Sequence, residues 1–178
     1  MSKMVLLVVD VQNAIVMEHP HEEKQVLSNI EVLITQARKY QIEVIYVRHD
    51  DGVGTEFEVG SDSWQIHKAV TPQEGDKIID KQFNSAFHKT DLQAYLTEKA
   101  VDTIMLVGMQ TEYCIDATVR SAFDLNYKVL VPEQTNTSFD NPYMQAQQMI
   151  EYYNTFIWDG RYAKLLPMEE ALVAMQKG

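Results

Sequence analysis

Residues 107–122, Val-Gly-Met-Gln-Thr-Glu-Tyr-Cys-Ile-Asp-Ala-Thr-Val-Arg-Ser-Ala, decide how the rest of the chain is read. They are entered through Thr103-Ile104-Met105-Leu106-Val107, five residues without a charge, as in a buried strand. Beyond the turn, Cys114, Ala117, Thr118, Ser121, Ala122 and Leu125 recur at the spacing of one helix face. Gly108 and the polar residues after it supply the connection. The single cysteine of the chain therefore stands at the opening turn of a helix, where unpaired backbone N–H groups and the helix dipole favour an anion. Cys114 is on this ground a candidate low-pKa thiolate. A lone cysteine is also commonly a small buried hydrophobe, so its surroundings have to decide between the two.

Outward from this centre, strands and helices alternate. Residues 4–9 are a continuous apolar run ended by Asp10, which reads as a strand buried on both faces. Val26, Ile30, Leu33, Ile34 and Ala37 mark one stripe of a helix over 22–40, and 44–47 is the next strand. From 49 to 75 the periodicity disappears into a long connection punctuated by Gly52, Gly54, Gly60 and Pro72. It carries Trp64 and His67, which suit a packed lid or pocket wall. Residues 76–80 form a short strand that exits at Lys81, and Thr90 with Gln93 reads as a capping box for a helix through Lys99. Downstream, 128–131 is a strand closed by Pro132. Asn141-Pro142 is a cap and first-turn pair for a helix to about Tyr152, 155–158 is a final strand, and a last helix runs from Pro167 to Lys177. This alternation, without repeats or low-complexity tracts, predicts a single α/β domain over 1–178. Its form is a three-layer α/β/α sandwich around a mainly parallel, Rossmann-like sheet.

Composition narrows the function. The net charge of −11, from 15 basic and 26 acidic side chains, repels a phosphate backbone, so nucleic acid is not an expected partner. No apolar run approaches the ~20 residues of a membrane span, and the run at 4–9 is too short for a signal peptide, which predicts a cytoplasmic protein without a membrane partner. A small neutral substrate is compatible with all of this.

Asp10, Lys81 and Cys114 each follow a predicted strand, and right-handed crossovers can bring them to one carboxyl edge of the sheet, where such folds bind ligands. A carboxylate to take the thiol proton and an ammonium to stabilise the thiolate are what a cysteine nucleophile requires.

Leu7-Val8-Val9-Asp10-Val11-Gln12, Asp80-Lys81-Gln82-Phe83-Asn84-Ser85-Ala86-Phe87, and residues 108–120 around Cys114 follow one another along the chain. Together these three segments resemble the isochorismatase-like cysteine hydrolases, which include nicotinamidases and N-carbamoylsarcosine amidohydrolases. The resemblance implies a catalytic triad of Asp10, Lys81 and Cys114 that cleaves a small amide or ureido compound through a thioester. It further implies an oxyanion hole from the N–H groups of Gln110 and Cys114, a cis peptide at Met109-Gln110, and assembly into a homodimer or tetramer. Gln12, Trp64, His67, Phe83, Phe87 and Tyr113 are the expected substrate wall.

Cys114 is similar to the amidases rather than to true isochorismatases, which lack the cysteine. Trp64-Gln65-Ile66-His67 matches an element of the nicotinamidases, but the Asp-x-His pair of their metal site meets Asp50-Asp51-Gly52 here. The expectation is therefore no metal and no cofactor, unless His49 swings toward His67 and restores a site with Asp50. Two alternatives stay open: a nicotinamidase or pyrazinamidase, and a thiol redox or electrophile sensor that uses a low-pKa Cys114 without turnover.

Overall fold

The strands pair into one sheet, seen in a computed structural model that describes residues 3–176. The outermost two residues at each end of the expected 1–178 domain, including the expected helix end at Lys177, lie outside the described residues. The strands are β1 (Met4–Val9), β2 (Glu43–His49), β3 (Lys77–Lys81), β4 (Thr103–Met109), β5 (Lys128–Pro132), β6 (Asn136–Thr137) and β7 (Lys164–Leu166). Their order is β3-β2-β1-β4-β5-β7, the two-residue β6 lies beside the end of β4, and each pairing is parallel.

The chain returns through helices α1 (Asn13–Val16), α2 (Glu23–Lys39), α3 (Leu92–Glu98), α4 (Asp116–Asp124), α5 (Ala146–Glu151) and α6 (Met168–Met175). The two-residue period of β1 sends Met4, Leu6 and Val8 into a core with Ile30 and Leu33 of α2 and Met175 of α6. Val5, Leu7 and Val9 enter the opposite core, with Leu92 and Leu96 of α3 and Val119 and Ala122 of α4. The sheet is thus covered on both faces, which is why β4 is buried at every position and shows no polar alternation. Among the described residues no helix is long and apolar enough to cross a membrane.

Gly108 is where the sequence allows β4 to close on β1. It pairs with Val9 at φ +131°, and a Cβ there would stand 1.9 Å from the Val9 carbonyl oxygen. No other residue type fits that approach.

Three local expectations are corrected. Residues 155–158 are not a strand: Tyr152–Trp158 continues α5 as a wide π turn, and the final strand is β7. Thr155-Phe156-Ile157-Trp158 has strand-like composition, but Trp158 is buried in the second core and donates from Nε1 to Asp116 Oδ1 at 2.8 Å, so tertiary packing overrides propensity. Thr90 does receive the Leu92 N–H, but it donates its proton to the Ala86 carbonyl, and α3 starts beyond it at Leu92. Asn141 does not cap the next helix. Its Oδ1 closes a tight turn on the N–H groups of Tyr143 and Met144, and Asp140 receives the N–H of Ala146, where α5 begins.

Candidate active site

Asp10, Lys81 and Cys114 meet at the carboxyl edge of β1, β3 and β4. Asp10 leaves β1 with φ 53°, and its N–H donates to Val47 of β2. Lys81 is the last residue of β3. Cys114 sits on a wide turn, Thr111–Ile115, between β4 and α4. The Lys81 Nζ donates to Asp10 Oδ2 at 2.7 Å and to Cys114 Sγ at 3.2 Å, and it lies 3.0 Å from His49 Nδ1. The side chains of Lys81 and Asp10 are 0% and 1% exposed.

Burial by itself disfavours the ammonium, yet the Asp10 carboxylate beside it raises the Lys81 pKa above its ordinary value. For Cys114 burial works the other way: it pushes the thiol pKa far up, Asp10 adds to that, and Lys81 offsets only part. The resting site is therefore an ion pair and a neutral thiol. This corrects the low-pKa thiolate expected from the helix start. The dipole there is worth about 0.3–1 kcal/mol, less than the cost of burying an anion, and regular helix begins only at Asp116.

A signed pH dependence follows. A thiol whose pKa is raised on folding holds its proton more tightly than the unfolded chain does. Its contribution is fully present below the unfolded value of about 8.5 and is lost as pH rises above it. Between about pH 8.5 and 10.5, wild-type stability is expected to fall relative to Cys114→Ala by about 1.4 kcal/mol per pH unit in urea titrations. Parallel curves for the two proteins would show a thiolate already present in the fold.

Asp10 Oδ1 is buried with no hydrogen-bond partner, and the ligand atoms of Asp10 and Cys114 lie within 4.8 Å of each other. That leaves one carboxylate oxygen to receive the thiol proton. The Met109-Gln110 peptide is cis. The Gln110 carbonyl accepts the N–H groups of Tyr113 and Ile115, passing over that of Cys114 between them. Thr111 Oγ1 and Ser138 Oγ donate to Asn136 and Glu112, tying the turn to β6 and the segment beyond it.

The expected substrate wall is only partly assembled. Gln12 is fully buried and spends its side-chain amide on the backbone of His49 and Trp64. Trp64 lies under the Arg48 guanidinium at 3.7 Å, Arg48 in turn being paired with Asp80. His67 Nδ1 accepts the N–H of Ala69 and caps a short turn. Phe83 and Phe87 do not share a helix face: Phe87 stacks on Tyr127 inside the second core, whereas Phe83 is 41% exposed. Phe83 and Tyr113, the latter next to Cys114 in the chain, thus remain exposed, and Asn84, absent from the expected wall, has its Oδ1 4.0 Å from Cys114 Sγ. A hollow of about 270 Å³ with Asp50, Gln82, Phe83 and Lys89 in its wall includes Lys81. A larger one of about 360 Å³, between α2 and the α5 segment, includes none of Asp10, Lys81 and Cys114.

His49, Asp50 and His67 do not converge. His49 turns to Lys81 and Asp51, Asp50 accepts from Gly52 N–H and Gln82, and His67 is held by its cap. Among the described residues the group of three possible ligands is Asp10, His49 and Cys114. All three are hydrogen-bonded by the Lys81 ammonium, which a cation would have to displace. The residues present do not fit a metal centre.

Residues 4–158 match the family model of the isochorismatase domain. Streptothricin hydrolase of Streptomyces noursei is 30% identical over 139 residues, 77% of this chain and 50% of that protein, so the match spans about half the length of that relative. Nicotinamidase 3 of Arabidopsis thaliana is 28% identical over 158 residues, 81% of this chain and 78% of that protein. A crystal structure of an isochorismatase family protein superposes with a TM-score of 0.84 at 35% identity, covering 92% of this chain and 97% of the other.

Proposed function

The chain belongs to the isochorismatase family, and within that family we propose that it is a cysteine amidohydrolase that cleaves the C–N bond of a small amide or ureido compound through a Cys114 thioester. The observation that carries this reading is the Lys81 ammonium bonded at once to Asp10 and to Cys114 Sγ inside a buried site.

Each group has one role in the proposed sequence. Asp10 takes the thiol proton through its unpartnered Oδ1 as the sulfur attacks the carbonyl carbon, so the thiolate exists only when the electrophile is in place. Lys81 stays an ammonium and balances the negative charge that moves from Asp10 to sulfur. The N–H groups of Gln110 and Cys114 receive the carbonyl oxygen as it becomes negative. Asp10 then gives its proton to the departing amine, and water attacks the thioester to release the acid. Phe83, Asn84 and Tyr113 line the approach to the sulfur.

A neutral, buried thiol also weighs against the sensor reading, because a sensor needs a standing thiolate, whereas here the thiol gives up its proton only to an electrophile seated beside Asp10. The test of the leading reading is a panel of small carboxamides, ureido acids and nicotinamide assayed for ammonia release. Turnover of at least one member supports it, and no turnover across the panel refutes it. Activity is expected to survive exhaustive chelation. A fall that stoichiometric zinc, iron or manganese reverses would move nicotinamidase chemistry to first place.

We place this activity in the cytoplasm and in a homodimer or tetramer. Tyr152 and Phe156 stack on one another at 5.2 Å with both side chains exposed, an aromatic surface suited to self-association. Light scattering at micromolar concentration is expected to give a multiple of 20.5 kDa, and a monomer mass would refute the assembly.

A further inference from the structure

We propose that His49 is a positioning residue of this site, accepting the third proton of the Lys81 ammonium and thereby fixing that ammonium between Asp10 and Cys114. The inference rests on the reading of Cys114 as nucleophile, but its chemistry comes from the hydrogen bonds alone.

An ammonium has three N–H donors and no acceptor. Lys81 is fully buried, and its Nζ has three neighbours at bonding distance: Asp10 Oδ2 at 2.7 Å, His49 Nδ1 at 3.0 Å and Cys114 Sγ at 3.2 Å. Since Nζ can only donate, Nδ1 must be the acceptor. The ring is then neutral with its proton on Nε2, and Nε2 lies 3.2 Å from Asp51 Oδ1, which accepts it. The tautomer is set from both sides.

The backbone of His49 is fixed as firmly as its ring. His49 and Lys81 are direct register partners on β2 and β3, so their side chains leave the sheet on the same side. Gln12 Oε1 receives the His49 N–H at 2.7 Å, and Gln12 Nε2 donates to the His49 carbonyl at 3.0 Å. Phe57 meets the ring edge-on at 5.4 Å. Gln12 thus acts through His49 and has no side-chain donor left for a substrate.

Without the imidazole, one N–H of a buried cation has no partner, and the ammonium tilts toward the charge of Asp10 and away from sulfur. The loss falls on kcat rather than on KM, because the contact with Sγ gains strength only as the thiolate forms.

The experiment has two arms. In full-length protein carrying nitrogen-15 histidine, the resonances that vanish in the His49 variants are expected to report a neutral ring protonated on Nε2 at neutral pH. An Nδ1-protonated ring or an imidazolium would overturn the proposal. In the second arm, iodoacetamide alkylation of Cys114 and hydrolysis of the best amide of the panel are compared across variants. Both are expected to slow about tenfold in His49→Leu with KM little changed, and to stay within about threefold of wild type in His49→Asn, whose Oδ1 can replace Nδ1 as acceptor. Equal losses in the two variants, or no loss in either, would overturn it. Circular dichroism accompanies each variant; if His49→Leu fails to fold, His49→Asn and the nitrogen-15 spectrum decide. Should no amide be turned over while the spectrum and the alkylation rates follow the expectation, the proposed activity fails and the role of His49 stands.

Discussion

Cys114→Ala is expected to lower amide turnover by about 10⁴-fold or more with the fold intact. The effect on rate is large because removing the sulfur removes the covalent route altogether, leaving only binding and the oxyanion donors. The effect on structure is small because the side chain contributes only its sulfur to the second core, and Lys81, which donates to that sulfur, keeps Asp10 and His49 as acceptors. Near-wild-type turnover in a folded Cys114→Ala protein would eliminate the thioester. Cys114→Ser is expected to be nearly as inactive, because a hydroxyl is harder to deprotonate in the same buried surroundings.

Lys81→Met is expected to lose activity to a similar degree and, unlike the cysteine change, to destabilise the fold by about 3–5 kcal/mol. Methionine fills the space of the lysine stem but leaves the Asp10 carboxylate in a dry interior with no partner. In the wild type the lysine pKa is raised on folding. Its stabilising effect is therefore present below the unfolded value of about 10.4 and lost as pH rises through the folded one. Urea titrations of both proteins from pH 7 to about 11.5 read that slope, present in the wild type and missing from the variant, and a Lys81→Met variant as stable as wild type would mean that the ion pair is not formed.

Asp10, Lys81 and Cys114 were legible because each stands at or just after the exit of a strand, and a parallel sheet gathers such places at one edge. His49 obeys the same rule but was hidden. The sequence pattern ends this strand at Val47 and loses its periodicity from His49 onward, whereas pairing with β3 extends β2 through His49. Counted as a strand exit, it stands beside Lys81, its register partner on β3. The wall residues were less legible because sequence gives residue type without direction. Trp64 turns to Arg48, Phe87 to the core and Gln12 to the backbone, each by contacts with segments more than 15 residues away. Asn84 lies in one of the segments that carry the resemblance, but its direction was not legible, since nothing in the pattern of 82–90, which is irregular turn, says which side chain faces the sulfur. The strand expected at 155–158 failed for the related reason that Trp158 is drawn inward by Asp116, a residue 42 positions earlier.

The thioester itself is the most direct test. Wild-type protein mixed with the best amide of the panel, quenched in acid within the first turnover and analysed by mass, is expected to carry one acyl group on the peptide that contains Cys114. The adduct should decay at the rate of acid release and be missing from Cys114→Ala. Hydrolysis that proceeds at the same rate with no adduct at any quench time, or with the acyl group on another residue, would contradict the account.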